Sequence, residues 1–189
     1  MPPSKGPSRS ELLALEGSTL PDLGGPGAVV VFCGINPGLY TAWAQAHFAR
    51  PGNRFWPTLH RSGFTARLLA PQEQHLLPRH GLGITNVVAR ATATAAELSP
   101  AELRAGGELL RDKVRTWQPA FLAVLGVTAY REAFGARRAV IGLQQEVLGR
   151  TRIWVLPNPS GLNAHYGLPA LAALFAELRA AAGVGRPEA

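Results

Sequence analysis

The stretch Val29-Val30-Val31-Phe32-Cys33-Gly34-Ile35-Asn36-Pro37-Gly38 determines how we interpret the rest of the chain. Residues 29–32 are β-branched or aromatic, which predicts a short strand buried on both faces, and residues 34–38 end it abruptly. Pro37 disfavours a helical backbone at Asn36. We therefore expect a polar amide at the carboxyl end of a buried strand, where open α/β sheets bind ligands. The alternative is a turn in which Asn36 satisfies only local hydrogen bonds.

A second predicted strand also ends in a proline- and glycine-containing segment that carries an asparagine. Residues 150–156 predict a strand that runs into Asn158-Pro159-Ser160-Gly161-Leu162-Asn163. If the two strands are parallel and close together, Asn36 and Asn158 face one cleft. An amide both donates and accepts hydrogen bonds, so such a cleft suits a planar polar ring such as a nucleobase. The alternative is two unrelated turns, each stabilised by its own asparagine.

The chain alternates apolar strands with helices, which predicts an α/β fold with a parallel sheet covered on both sides. The predicted strands lie near residues 28–33, 82–88, 121–126 and 150–156. We divide the chain into a flexible N-terminal arm (1–26), rich in proline and glycine, a single domain (27–183) and a C-terminal tail (184–189). Gly106 and Gly107 fall inside the best predicted helix, which indicates close packing against a neighbouring element.

Charge and composition exclude several classes of function. The net charge of +7 and the pI near 10.7 favour a polyanionic partner. Asp22 and Asp112 are the only aspartates, which argues against a two-metal nuclease or a carboxylate-pair glycosidase. The single cysteine, Cys33, excludes an internal disulfide. We find no glycine-rich nucleotide fingerprint, no membrane-length apolar run and no signal segment, and we expect a cytoplasmic protein without a cofactor.

Three strings resemble the mismatch-specific uracil-DNA glycosylases, the branch of the uracil-DNA glycosylase superfamily that includes thymine-DNA glycosylase. They are VVFCGINPG (30–38), ARPGNRFW (49–56) and WVLPNPSGLN (154–163). The similarity extends over about residues 28–182. It implies a three-layer α/β/α sandwich around a parallel sheet of about four strands. It also implies hydrolysis of the N-glycosidic bond of a uracil flipped out of duplex DNA, by a monomer that uses no metal or organic cofactor.

The resemblance implies a role for each matching residue. Asn36 would hold the attacking water, while the backbone near Ile35 and the side chain of Asn158 would stabilise negative charge on the departing base. Phe48 would stack on the flipped base, and His47 beside it is expected at the surface. Four residues would contact DNA: Ser160 at a phosphate, and Gly161, Leu162 and Asn163 as a wedge that enters the base stack.

The chain also departs from the family pattern. Ala89 stands in a stretch where relatives often carry an acidic residue, so an auxiliary base there is in doubt. Asn163-Ala164-His165 stands where some relatives place a Ser-Arg pair after the wedge leucine, so we expect contacts to the opposite strand, and with them the preference for a mismatched guanine, to differ from those relatives. Two alternatives stay open: a DNA-binding relative that recognises damage or abasic sites with little catalysis, and a small-molecule nucleoside hydrolase.

Overall fold

The computed structural model describes residues 6–186, which form one five-stranded sheet with helices on both faces. The strands are β1 (Val30–Gly34), β2 (Leu82–Asn86), β3 (Phe121–Leu125), β4 (Gly142–Leu148) and β5 (Thr151–Leu156). The α-helices are α1 (Arg9–Leu13), α2 (Leu39–Ala44), α3 (Phe55–Arg61), α4 (Pro100–Trp117), α5 (Val127–Phe134) and α6 (Leu168–Ala181). Residues Pro71–His80 and Ala95–Glu97 are 3-10 helices.

Strand β1 lies inside the sheet, whose order is β2-β1-β3-β5-β4. Because side chains alternate along a strand, β1 buries Val30 and Phe32 on one face and Val31 and Cys33 on the other. Helices α3 and α6 pack on the first face, and α4 and α5 on the second. Strands β2, β1, β3 and β5 are parallel, so their carboxyl ends meet at one edge. This confirms the predicted three-layer α/β fold.

One strand was not predicted. Residues 142–148 pair antiparallel with β5 through a short hairpin and form an edge of the sheet. Its side chains alternate between half-buried and exposed, because one face of this edge strand is left open. The polar run Gln144-Gln145-Glu146 is typical of such a strand. Because it interrupts the apolar residues, the sequence of β4 does not contain the continuous apolar segment that predicts a buried strand.

The two glycines of α4 lie where neighbouring backbone comes very close. A Cβ atom at Gly106 would stand 2.3 Å from the carbonyl oxygen of Val87, and one at Gly107 would stand 2.1 Å from that of Ala133. Both distances are far below van der Waals contact. The structure therefore confirms that the helical glycines serve close packing, against the chain after β2 and against α5.

The segment before β1 is attached to the domain. Leu20 is buried, and Leu23 pairs antiparallel with Ile84 on the outer edge of β2. Asp22 forms a 2.6 Å ion pair with Lys113 of α4. The predicted arm thus differs from the structure over residues 8–25, where this segment covers a sheet edge, while residues 1–5 lie outside the described part of the chain. Val184 of the predicted tail likewise packs on the core.

Within residues 6–186, no helix is long and apolar enough to cross a membrane.

Candidate active site

A cavity of about 410 Å³ lies at the carboxyl ends of the parallel strands. Strands β2 and β3 lie on opposite sides of β1, and the carboxyl edge of the sheet beside such a strand is the usual ligand site of an open α/β sheet. The cavity is lined by Gly34, Ile35, Asn36, Pro37, Gly38, Thr41, His47, Phe48, Arg50, Asn53, Asn86, Thr92, Ala93, Thr94, Ala95, Leu125, Asn158, Ser160, Leu162 and Asn163. None of these is an aspartate or a glutamate.

The orientation of Asn36 is fixed by two hydrogen bonds. Its Nδ2 donates to the carbonyl of Arg90 at 3.0 Å and to Oγ1 of Thr92 at 2.8 Å. A carbonyl can only accept, so the amide nitrogen must point toward Arg90. The hydroxyl of Thr92 donates to the carbonyl of Thr94 at 2.8 Å, and it is therefore free to accept from Asn36. Oδ1 of Asn36 has no hydrogen-bond partner among the described residues and remains an acceptor for a water.

The backbone around Asn36 is fixed as well. Residues 34–37 leave β1 alongside the chain that follows β2, and three hydrogen bonds join the two segments. They run from Val87 to Gly34 at 2.9 Å, from Val88 to Ile35 at 2.9 Å and from Thr92 to Pro37 at 3.2 Å. The amide of Asn36 is thus positioned before any ligand arrives, which is the condition for effective positioning of a nucleophile.

Whereas the side chain of Asn36 is oriented by its nitrogen, that of Asn158 is oriented by its oxygen. Its Oδ1 accepts a hydrogen bond from the backbone N–H of Ser160 at 2.9 Å, which is the local turn that the sequence left open as an alternative. Since a backbone N–H can only donate, the side-chain oxygen is occupied. The Nδ2 group, which has no partner among the described residues, remains a donor. The two predicted asparagines do line one cavity, where they offer one acceptor and one donor.

A third amide, Asn86, was missed as a site residue. It ends β2 beside Gly34 and lines the cavity, and its side chain makes no hydrogen bond with the described residues. A Cβ at Gly34 would stand 2.6 Å from Oδ1 of Asn86 and 3.4 Å from the ring of Phe48. Gly34 therefore leaves room for both side chains. The signal was available, because Asn86, like Asn36 and Asn158, is an asparagine at or just beyond the carboxyl end of a parallel strand.

Phe48 lines the cavity in an unusual conformation. Its backbone φ is +55°, in the left-handed region that non-glycine residues rarely adopt. Its ring stacks on Phe55 with centroids 4.1 Å apart and planes at 23°. The neighbouring backbone is held on both sides, since the N–H of His47 donates to Gln74 at 2.8 Å and its carbonyl accepts from Trp56 at 3.0 Å. The ring is a fixed aromatic surface at the cavity wall.

His47 is buried, with 2% of its surface exposed, so the expectation of a surface position was wrong. Burial lowers the pKa of its imidazole, although the carbonyl of Pro21 and the charge of Asp22 oppose this in part. Nε2 lies 3.0 Å from the carbonyl of Pro21 and must be the protonated nitrogen, because that oxygen only accepts. His47 is thus a neutral residue that ties the N-terminal segment to the cavity wall.

The loop after β5 carries the predicted DNA contacts. Leu162 is 76% exposed, the largest exposed fraction among the exposed large apolar side chains of the described residues, so its side chain is accessible to a partner. Ser160, Leu162 and Asn163 line the cavity, while Gly161 lies against the loop before α3. A Cβ at Gly161 would stand 2.6 Å from the carbonyl oxygen of Gly52. All eight predicted site residues are thus in or beside one cavity, and their roles stay predictions.

Comparisons with known proteins identify the family and the fold. Residues 21–180 match the family model of the uracil DNA glycosylase superfamily. The fold is similar to the solution NMR structure of a Methanosarcina acetivorans protein that is provisionally identified as a uracil DNA glycosylase. The TM-score is 0.58 at 16% sequence identity, and the match covers 85% of this chain and 97% of that one. The family match spans most of the chain, and the chain therefore belongs to the uracil DNA glycosylase superfamily.

Proposed function

We propose that the protein is a monofunctional DNA glycosylase that flips uracil out of duplex DNA and hydrolyses its N-glycosidic bond. Superfamily membership supports a DNA glycosylase, that is, a hydrolase of N-glycosyl bonds. Uracil paired with guanine is the proposed substrate, on the strength of the three sequence strings shared with the mismatch-specific branch. Duplex DNA is the proposed partner, in keeping with the net charge of +7.

The orientation of Asn36 carries the proposal. Its free Oδ1 would accept a hydrogen bond from a water and aim the oxygen of that water at C1′ of the deoxyribose. An amide cannot take up a proton near neutral pH, so Asn36 acts by positioning and not as a general base. The bond from C1′ to the base would break first, with an oxocarbenium-like sugar in the transition state, and the water would then add to C1′ and lose a proton to solvent.

The other two amides suit the departing base. As the bond breaks, its electron pair moves onto the pyrimidine, whose carbonyl oxygens become negative. The free Nδ2 of Asn158 would donate to one of them, as donors of an oxyanion hole do. Asn86 has both a donor and an acceptor to offer to the edge of the ring, and Phe48 offers a flat face. Leu162 would fill the space that the flipped nucleotide leaves in the duplex.

Single-turnover cleavage of a labelled duplex with one U·G pair tests the proposal. We expect the parent protein to produce abasic sites, and Asn36→Ala to do so at least roughly 100-fold more slowly while binding the duplex equally well. Equal rates for the two proteins would refute the role of Asn36.

A second candidate, recognition of damaged or abasic DNA without catalysis, is favoured by the absence of any carboxylate from the lining of the described cavity. In that case neither the parent nor Asn36→Ala would cleave the U·G duplex, and the parent would bind abasic duplex more tightly than intact duplex.

A further inference from the structure

The loop of residues 157–166, here called the wedge loop, is ordered by its own polar groups. The N–H of Leu162 donates to Oγ of Ser160 at 3.2 Å, and that of Asn163 to the carbonyl of Ser160 at 3.0 Å. The N–H of His165 donates to Oδ1 of Asn163 at 3.1 Å. These bonds curl the loop so that several of its carbonyl groups turn toward the rest of the protein.

The side chain of Arg54 gathers those carbonyls. Its Nη2 donates to the carbonyls of Ser160 at 2.5 Å and Asn163 at 2.7 Å, and its Nη1 donates to that of Tyr166. Its backbone N–H donates to the carbonyl of Pro159 at 2.9 Å. One residue at the start of α3 is therefore bonded to four carbonyls along the wedge loop.

The charge of Arg54 has no acidic partner. None of the ion pairs among the described residues includes it. Its Nε is buried without any hydrogen-bond partner. A buried polar group without a hydrogen-bond partner is costly. Among residues 6–186, the hydrogen-bond partners of the guanidinium are the carbonyls of Ser160, Asn163 and Tyr166 in the wedge loop.

We infer that Arg54 is a positioning residue that holds the wedge loop, and with it Leu162, in the shape needed to displace a paired base. The inference rests on the proposed function. Entering a base stack with a mobile loop would require ordering that loop at the moment of binding, and a loop ordered in advance avoids this loss. Arg54 does not line the cavity, so we assign its effect to base extraction, through the shape of the wedge loop.

Arg54→Lys tests the inference because it keeps the charge and removes the planar fork. The lysine ammonium is a compact donor that cannot span carbonyls as a guanidinium does. Two duplexes are compared under single-turnover conditions, one with uracil paired to guanine and one with uracil opposite an abasic-site analogue. The second uracil has no pairing partner, so its extraction costs less. Arg61→Lys on exposed α3 surface is the matched control.

We expect Arg54→Lys to slow cleavage of the paired uracil about tenfold and to slow cleavage of the unpaired uracil much less. Arg61→Lys should change neither rate. In the double variant Arg54→Lys/Leu162→Ala, cleavage of the paired uracil should be no slower than with Leu162→Ala alone, since both act through one wedge. Equal slowing of both duplexes, or fully additive effects, would overturn the inference.

Amide hydrogen exchange without DNA provides a readout that does not depend on activity. Arg54→Lys should accelerate exchange at Leu162, Asn163 and His165, with the sheet unaffected. Unchanged exchange would refute the holding role directly. If the parent cleaves neither duplex, the proposed function fails, and with it the role in base extraction. Accelerated exchange would in that case still establish that Arg54 holds the loop.

Discussion

At the scale of single residues, the hydroxyl of Thr92 is as specific a requirement as the amide of Asn36. It is buried, with 1% of its surface exposed, and it accepts from Asn36 while donating to the carbonyl of Thr94. Valine has nearly the same shape but no acceptor for Nδ2. In Thr92→Val the amide of Asn36 would keep only its hydrogen bond to the carbonyl of Arg90, which restrains the orientation of the amide plane less than two hydrogen bonds do.

We predict that Thr92→Val slows single-turnover excision of uracil about tenfold, the effect of losing one hydrogen bond worth about 1.4 kcal/mol. Thr92→Ser keeps the hydroxyl and is the control, with a rate within about twofold of the parent. Affinity for the duplex should not change in either variant. A Thr92→Val rate equal to that of Thr92→Ser would show that the hydroxyl does not orient Asn36.

His47 predicts a pH dependence of stability. Burial lowers its pKa below the ordinary value of 6.5, so the unfolded chain takes up a proton at a higher pH than the folded protein does. Unfolding is therefore favoured as the pH falls below about 6.5, down to the pKa of the folded state. His47→Gln keeps an N–H donor for the carbonyl of Pro21 and removes the titration.

Melting temperatures of the parent and of His47→Gln between pH 8 and pH 5 measure this contribution. The difference between the two proteins should be constant above about pH 7 and should shift in favour of the glutamine variant toward acid. Other titrating groups are common to both proteins and cancel in the difference. A difference that stays flat over the whole range would show that folding does not lower the pKa of His47.

At the scale of elements, the glycines of α4 are positions where we expect substitution by alanine to destabilise the protein, although alanine has the higher helix propensity. Replacing glycine by alanine in an exposed helix interior stabilises it by about 1 kcal/mol. At Gly107 the new Cβ would stand 2.1 Å from the carbonyl oxygen of Ala133, and α4 and α5 would have to separate. Overpacking of this kind costs about 1–3 kcal/mol or more and outweighs the propensity.

Denaturant unfolding should therefore show Gly107→Ala to be less stable than the parent by about 1–3 kcal/mol. Ala105→Gly, at an exposed position on the opposite face of α4, reports the propensity alone and should cost about 1 kcal/mol. If Gly107→Ala is as stable as the parent, the two helices can move apart at little cost and the close approach is not required by the fold.

The N-terminal segment connects the edge of the sheet to the residues that orient Asn36. Ala91, between the two residues that hold Asn36, exchanges backbone hydrogen bonds with this segment: its N–H donates to Ser18 at 2.7 Å, and its carbonyl accepts from Gly17 at 2.9 Å. Leu23 and Ile84 exchange two more, both at 2.8 Å. The segment therefore supports residues 90–92 from outside. It also covers β2, which would otherwise present an open edge.

We predict that removing residues 1–25 lowers both the melting temperature and the excision rate and makes the protein prone to aggregation through β2. Removing residues 1–7 leaves every hydrogen bond given above in place and should change none of these properties. A 1–25 deletion that excises uracil at the parental rate would show that the strand end and the loop 90–92 keep their geometry unaided.

The elements differ in how far the sequence predicts them. Strands β1, β3 and β5 were predictable because each contains an apolar run that ends at glycine or proline, and β2 because residues 82–88 are rich in apolar and β-branched side chains. Strand β4 and the N-terminal segment were not, since their pairing depends on a neighbour that is already folded. The same holds within the site: Asn36 and Asn158 stand out locally, whereas Thr92 matters only through a hydrogen bond to a residue 56 positions away.

At the scale of the whole molecule, the positive charge is unevenly compensated. The ion pairs among the described residues involve Arg67, Arg90, Arg104, Arg111, Lys113 and Arg115. Arg50 and Arg79 form none of them. Arg50 is exposed and lines the cavity at the carboxyl edge of the sheet, whereas Arg79 is exposed in the 3-10 helix before β2, at the opposite edge. Substituting each arginine in turn therefore distinguishes the effect of a positive charge beside the cavity from the effect of the net charge of the protein.

Binding of a uracil-containing duplex should weaken as salt rises, because each phosphate contact releases counterions. If the duplex docks over the cavity, Arg50→Gln removes a cation that faces the DNA backbone, and the slope of log K against log salt should become shallower by about 1. Arg79→Gln makes the same change in net charge at the far edge and should leave the slope unaltered. Titrations by fluorescence anisotropy at several salt concentrations measure both. Identical slopes for the two variants would mean that the protein attracts DNA through its overall charge, and a shallower slope for Arg79→Gln alone would place the duplex on the other edge of the sheet, away from Asn36.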